Sequence, residues 1–124
     1  MEKRVENYKD LEVWKKAIAL ATEVYKITSR FPREEQYGLI SQIQRSAIAV
    51  PANIAEGWGR GQTKEYILFL RIARGSLMEL ETHLIVSGRL GYLGNDSLGK
   101  FQEGIGEIGR MLNALISSLK KKLV

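Results

Sequence analysis

Residues 63–88 read TKEYILFLRIARGSLMELETHLIVSG, and within them Tyr66, Leu70, Ala73, Leu77, Leu80 and Leu84 step alternately by four and three. That step is the seam of a helix lying nearly parallel or antiparallel to its neighbours; a strand would alternate in twos. The pattern repeats on both sides of this stretch. Leu11, Trp14, Ile18, Ala21, Tyr25 and Thr28 form an earlier series, Ile40, Ile43, Ala47, Val50 and Ile54 another, and Leu98, Phe101, Ile105, Ile108, Leu112, Leu115 and Leu119 a last one. The fold class expected is all-α, with four helices.

The punctuation sets their limits. Helix 1 should end near Ser29 or Arg30, because Phe31 precedes Pro32 and a residue before proline is biased out of the helical region. Helix 2 should begin between Pro32 and Glu35, where proline and two glutamates suit a first turn. The run Gly57, Trp58, Gly59, Arg60, Gly61 should break the chain, Thr63 offers a cap for helix 3, and Gly88 and Gly91 should stop it. Asn95, Asp96 and Ser97 are candidate caps for helix 4. Short connections make successive helices antiparallel, so the expected architecture is an up-down-up-down four-helix bundle. It forms one domain over residues 1–124, with residues 1–9 as a flexible lead.

Two features strain this reading. Pro51 removes a backbone donor inside helix 2 at a cost of about 3 kcal/mol, yet the seam continues to Ile54. The reading is a kink, with helix 2 carrying on to about Glu56; the alternative is a break at Val50 and a separate short turn through Ala52 to Glu56. Gly104, Gly106 and Gly109 each cost about 1 kcal/mol against alanine in a helix interior. Close approach of a neighbouring helix backbone would justify them, and a weaker helix is the plainer account.

Composition limits function. The chain has 124 residues, 44% hydrophobic and 27% charged, a balance that suits one globular core and excludes a disordered chain. No apolar run approaches the roughly 20 residues of a membrane-spanning helix, and the start shows no apolar signal core, so a cytoplasmic protein without membrane association is expected. With no cysteine and one histidine, His83, there is no disulfide framework, thiol nucleophile, credible triad or zinc site. Glu79, Glu81, Glu103 and Glu107 are the available carboxylates, but Glu79 and His83 are four apart, not the three of a di-metal bundle. His83 reads as a half-buried flank residue beside Leu80 and Leu84. No enzyme activity, cofactor or metal is expected.

The 19 basic and 14 acidic residues leave a net charge of +5, spread along the whole chain, which favours acidic partners on a surface assembled by folding. Candidate nucleic-acid contacts are Trp58 and Arg60 in the glycine-rich connection, then Lys64, Arg71 and Arg74 along one face of helix 3. A helix stop with a packed tryptophan and a solvated charged face is the plainer account of the same residues. Lys120, Lys121 and Lys122 suit a helix C-terminus whatever they bind.

Helix 1 also carries a second apolar series, Val13, Ala17, Leu20, Val24, Ile27 and Phe31, rotated from the first. Helix 3 has Leu68, Ile72, Gly75 and Val86 off its seam. A wide stripe set deep in the monomer core is the plainer account and the favoured one for Val13 and Ala17 taken alone; for the whole set, apolar faces beyond one bundle core point to association between copies, so Val13, Ala17, Leu20, Val24, Leu68 and Ile72 are candidate homo-oligomer contacts.

Three stretches carry a family resemblance: YKDLEVWKKA at 8–17, QRSAIAVPANIAEG at 44–57 followed by Arg60, and Glu65-Tyr66 with FLRIARGSLMELET at 69–82. Over roughly residues 8–120 the chain resembles the bacterial four-helix-bundle proteins encoded in intervening sequences of 23S rRNA genes. Glycine at 75, where alanine is common, and a glycine-rich helix 4 are departures. The resemblance implies a ring-like homopentamer. It also implies kinship with the accessory protein of diversity-generating retroelements, which binds nucleic acid and its reverse transcriptase through a basic pentamer surface. Arg45, Asn53, Glu56, Arg60 and Glu79 match recurrent polar positions of the family. The expected function is therefore a non-enzymatic homo-oligomer, a pentamer, that binds RNA or DNA weakly. A protein-binding scaffold with no nucleic-acid binding is the alternative.

Overall fold

The Tyr66–Leu84 series forms the inner face of one long helix, α3 (Thr63–Arg89), whose Leu70, Ala73, Leu77, Leu80 and Leu84 are fully buried. In the computed structural model, which describes residues 5–123, three further helices surround it: α1 (Glu12–Thr28), α2 (Leu39–Gly59) and α4 (Asn95–Lys120). Short 3₁₀ turns occupy Tyr8–Asp10, Arg33–Glu35 and Lys121–Leu123, and there is no strand among the described residues. Each helix packs on its neighbour in sequence and α1 closes the ring against α4, the sparsest of the four contacts. Specific pairs fix the directions. Gln44 donates to Thr28 Oγ1 at 3.1 Å while Tyr8, just before α1, meets Trp58, so α1 and α2 run antiparallel. Arg74 reaches Asn113, and Gly88 faces Leu98, so α3 and α4 do the same.

The core is a column of Val24, Ile43, Val50, Ile54, Leu77, Leu80, Ile105, Ile108 and Leu112, each almost wholly removed from water. This burial is the main driving force for the fold. Pro51 is itself buried and α2 runs unbroken through it, so Ile54 reaches the core as the continued seam required.

Several expected boundaries move. Helix 2 begins at Leu39, not at Pro32–Glu35, because Gly38 (φ −114°, ψ −107°) is non-helical and separates the Arg33–Glu35 turn from α2. That turn is anchored elsewhere: Tyr92 donates its hydroxyl to Glu35 Oε2 at 3.0 Å, beside a Phe31–Tyr92 ring contact. The expected break at Gly57 is also absent. Gly57 and Gly59 are helical, and the chain turns at Gly61, whose φ of +75° favours glycine. Gln62 and Gly94, not Thr63 or Asn95, hold the cap positions of α3 and α4, and neither makes a side-chain capping bond. In α4, no neighbouring backbone crowds the glycines. A Cβ would meet Leu20 at 4.0 Å from Gly104, Arg110 of its own helix at 3.3 Å from Gly106, and Leu77 at 3.7 Å from Gly109.

Of the lead expected over residues 1–9, residues 1–4 lie outside the described residues. From Asn7 onward the chain is ordered by a capping box: Asn7 Oδ1 accepts from Lys9 N at 2.8 Å and Asp10 Oδ2 from Asn7 N at 3.2 Å. Tyr8 then stands edge-on to both Trp14 and Trp58.

Candidate nucleic-acid interface

The five residues expected to meet phosphate or base fall into two groups. Trp58 lies in the last turn of α2, half-buried, its ring 6.3 Å from that of Tyr8; it seals the end of the bundle. Arg60 is held from two sides, with Nε 3.7 Å from Glu56 Oε2 and the guanidinium 4.9 Å from the Phe69 ring. Arg74 donates to Asn113 Oδ1 at 2.8 Å and so links α3 to α4. Lys64 and Arg71 are exposed, and no ion pair or hydrogen bond engages either side chain. Of the expected stripe Lys64, Arg71 and Arg74, the first two are the freely available cations, and Arg74 is tied to α4.

The candidate subunit contacts divide as well. Val13, Ala17, Leu20 and Val24 are 4%, 1%, 9% and 0% exposed, buried within the single chain. This corrects the reading of them as surface for a second copy. In a ring of four helices α1 touches both α2 and α4, so its buried arc spans roughly 100° and takes in the second apolar series together with Ala21 and Thr28 of the first. The outermost members of the first series, Ile18 and Tyr25, are displaced to the surface. Leu68 and Ile72, by contrast, are 53% and 43% exposed. They share the outer face of α3 with Lys64, Arg71 and Gly75, being one helical turn apart from them. A contact that covers Leu68 and Ile72 also covers these two cations.

Glu107 binds Lys16 at 2.9 Å across the α1–α4 contact; that hydrogen bond holds the Glu107 carboxyl below its ordinary pKa and raises that of Lys16. Glu79 Oε1 lies 3.6 Å from His83 Nε2, too far for a hydrogen bond, and His83 is half-buried as expected. No group of three His, Asp or Glu side chains able to hold a metal occurs among the described residues. Burial pushes the Tyr66 hydroxyl up to about 12.

The surface is hollowed in at least two places. One of about 420 Å³ runs between α1 and α4, floored by Leu20, Phe101, Gly104 and Ile108, with Lys16, Lys100, Glu23 and Glu107 balancing each other at its rim. Another, about 680 Å³, lies at the corner where α1 gives way to α2, and it carries Tyr25, Tyr37, Arg33, Arg45, Gln36 and Gln44. Sequence reasoning missed this corner, since Tyr25 was placed in the α1 seam and Arg33 in a helix start. The signal available was Tyr37, an aromatic that fits no apolar series.

The 23S rRNA-intervening sequence protein model matches residues 9–114, nearly the whole bundle. The chain belongs to that family. A crystal structure of a protein of unknown function from the S23 ribosomal protein family of Bacteroides thetaiotaomicron is similar to this family member, at 24% identity and a TM-score of 0.75. The likeness covers 84% of this chain and 97% of that one, and it establishes the shared fold. No curated protein matches the chain. Of the polar positions expected to recur in the family, Arg45, Asn53, Glu56 and Glu79 make contacts within one turn of their own helix. Arg45 donates to Gln42 at 2.8 Å, Asn53 to the Ala49 carbonyl at 2.7 Å, and Glu56 and Glu79 face Arg60 and His83 one turn on. No helix of the described residues is long and apolar enough to cross a membrane.

Proposed function

We propose that this 23S rRNA-intervening sequence protein is a non-enzymatic cytoplasmic homo-oligomer, a pentamer, that binds RNA or DNA through weak, repeated charge contacts. One observation carries the reading: α3 presents Leu68 and Ile72 to water on a bundle whose own core is already closed, while the chain keeps a net charge of +5. Covering the apolar pair with a second copy removes it from water and multiplies the positive charge per particle. Light scattering should give a mass several times 14.0 kDa. Filter binding to unspecific RNA should be present at low salt and fall steeply toward physiological salt.

The second reading is a protein scaffold. Met78 and Val86, 46% and 42% exposed, extend the apolar character of α3 and favour it. It requires no RNA or DNA retention at micromolar protein in low salt, which is the outcome that would replace the first reading with this one.

A further inference from the structure

The outer face of α3 cannot serve both as subunit contact and as nucleic-acid surface, because Leu68 and Ile72 alternate there with Lys64 and Arg71. Nucleic acid then needs another site. Arg60 and Arg74 are held against a neighbouring helix, by Phe69 and Asn113 respectively, and the α1–α4 groove has as many carboxylates as ammonium groups. The corner hollow differs from both. Its walls hold two guanidinium groups and no carboxylate. Glu34 and Glu35 belong to the adjoining turn but do not line it, and Glu35 is turned to the Tyr92 hydroxyl.

Tyr37 is 94% exposed, so its ring contributes nothing to the bundle, and Tyr25, which lines the same hollow, is 43% exposed. Arg33 has no ion pair or hydrogen bond, and Arg45 spends one donor on Gln42 out of the five its fork carries. Gln44 uses its amide nitrogen on Thr28, which leaves the amide oxygen to accept. Aromatic faces, amides and guanidinium groups with donors to spare around a hollow of about 680 Å³ are what an unpaired base and its flanking phosphates require.

We propose that the α1–α2 corner binds one unpaired base of a single-stranded nucleic acid, stacked on Tyr37, with Arg33 and Arg45 on the adjacent phosphates. This rests on the nucleic-acid reading above and assigns its site. A base paired inside a duplex does not offer its face to Tyr37, so single strands are preferred over duplexes.

The test is fluorescence anisotropy with a labelled 12-nucleotide RNA, the DNA of the same sequence and the corresponding duplex, at several salt concentrations. Tyr37→Ala should weaken single-strand binding roughly 5- to 150-fold, while Tyr37→Phe keeps it and neither variant changes the circular dichroism or the mass. The pair Arg33→Gln, Arg45→Gln should lower the slope of log K against log salt by about 1.4. Equal losses on RNA and DNA assign a base-and-phosphate site; a loss on RNA alone adds the 2′-hydroxyl to it. If the unaltered protein binds and Tyr37→Ala binds equally well, the corner is not the site and the nucleic-acid reading stands. If Tyr37→Ala lowers the particle mass, the corner is a subunit contact and the proposal falls. If the unaltered protein binds no strand at low salt, the parent reading fails and takes the corner site with it.

Discussion

Gly57 in α2 lies so close to Phe69 in α3 that a Cβ placed on it would stand 2.7 Å from the Phe69 Cβ and 3.2 Å from the Tyr66 carbonyl. The last turn of one helix and the first turns of the next are packed with no room for a methyl group. Gly57 is therefore a packing residue within α2, while the reversal itself is left to Gly61.

Gly57→Ala should consequently destabilise the fold by about 1–3 kcal/mol, the usual cost of forcing extra volume against unyielding neighbours. Gly59→Ala, with nothing within 4 Å of the added atom, serves as the control and should be neutral or slightly stabilising. Urea denaturation of the two variants side by side measures the difference.

Leu20 and Ile72 were both legible as extra apolar surface, and the structure separates them. Leu20→Glu places a carboxylate in the core and should cost several kcal/mol, abolishing the folded chain or nearly so. Ile72→Glu alters a side chain that is 43% exposed and should leave helix content unchanged while lowering the particle mass. Circular dichroism and light scattering together distinguish the two effects, and an Ile72→Glu particle of unaltered mass would remove α3 from the subunit contact.

The α4 glycines predict the opposite sign from Gly57. A methyl group at Gly104 or Gly109 meets only ordinary van der Waals contact, with Leu20 at 4.0 Å and Leu77 at 3.7 Å. Gly104→Ala and Gly109→Ala should each stabilise by about 1 kcal/mol through helix propensity. Higher urea midpoints at unchanged slope would establish this.

Burial raises the Tyr66 hydroxyl from 10.0 to about 12, because the phenolate is poorly solvated beside α2. The unfolded chain ionises this group first, so folding loses stability as pH rises from 10.0 toward about 12 and is unaffected by it below that window. Tyr66→Phe should make the alkaline limb of the stability curve shallower. The missing phenolate absorbance in that variant should have its midpoint near pH 12 in the parent protein.

The ion pair of Lys16 and Glu107 acts at both ends of the scale. Glu107 has its pKa depressed, so its contribution is present at neutral pH and is lost as pH falls below the carboxylate's ordinary 4.5. Lys16 has its pKa raised, so its contribution is present below 10.5 and lost above it. Glu107→Gln should flatten the acid limb slightly, since the pair is exposed and screened by salt.

Helix number and the family were determined by the sequence alone, and the continued seam favoured α2 carrying on past Pro51 over a break, because apolar spacing within a helix is local and survives one missing backbone donor. Ile54 had to reach the core if the seam from Ile40 was real, and it does. The rotation of α1 was decided only by tertiary structure. Its two apolar series are equally helical in period, and the choice between them belongs to which neighbours flank it, a property of the assembled ring. Gly57 gives the same lesson: glycine reads as a stop in one dimension and as a close approach once Phe69 lies across it. The corner at Tyr37 and Arg45 likewise arises where a non-helical Gly38 turns the chain between two helices. No spacing rule registers residues brought together by such a turn, because their proximity is set by the packing of α1 on α2.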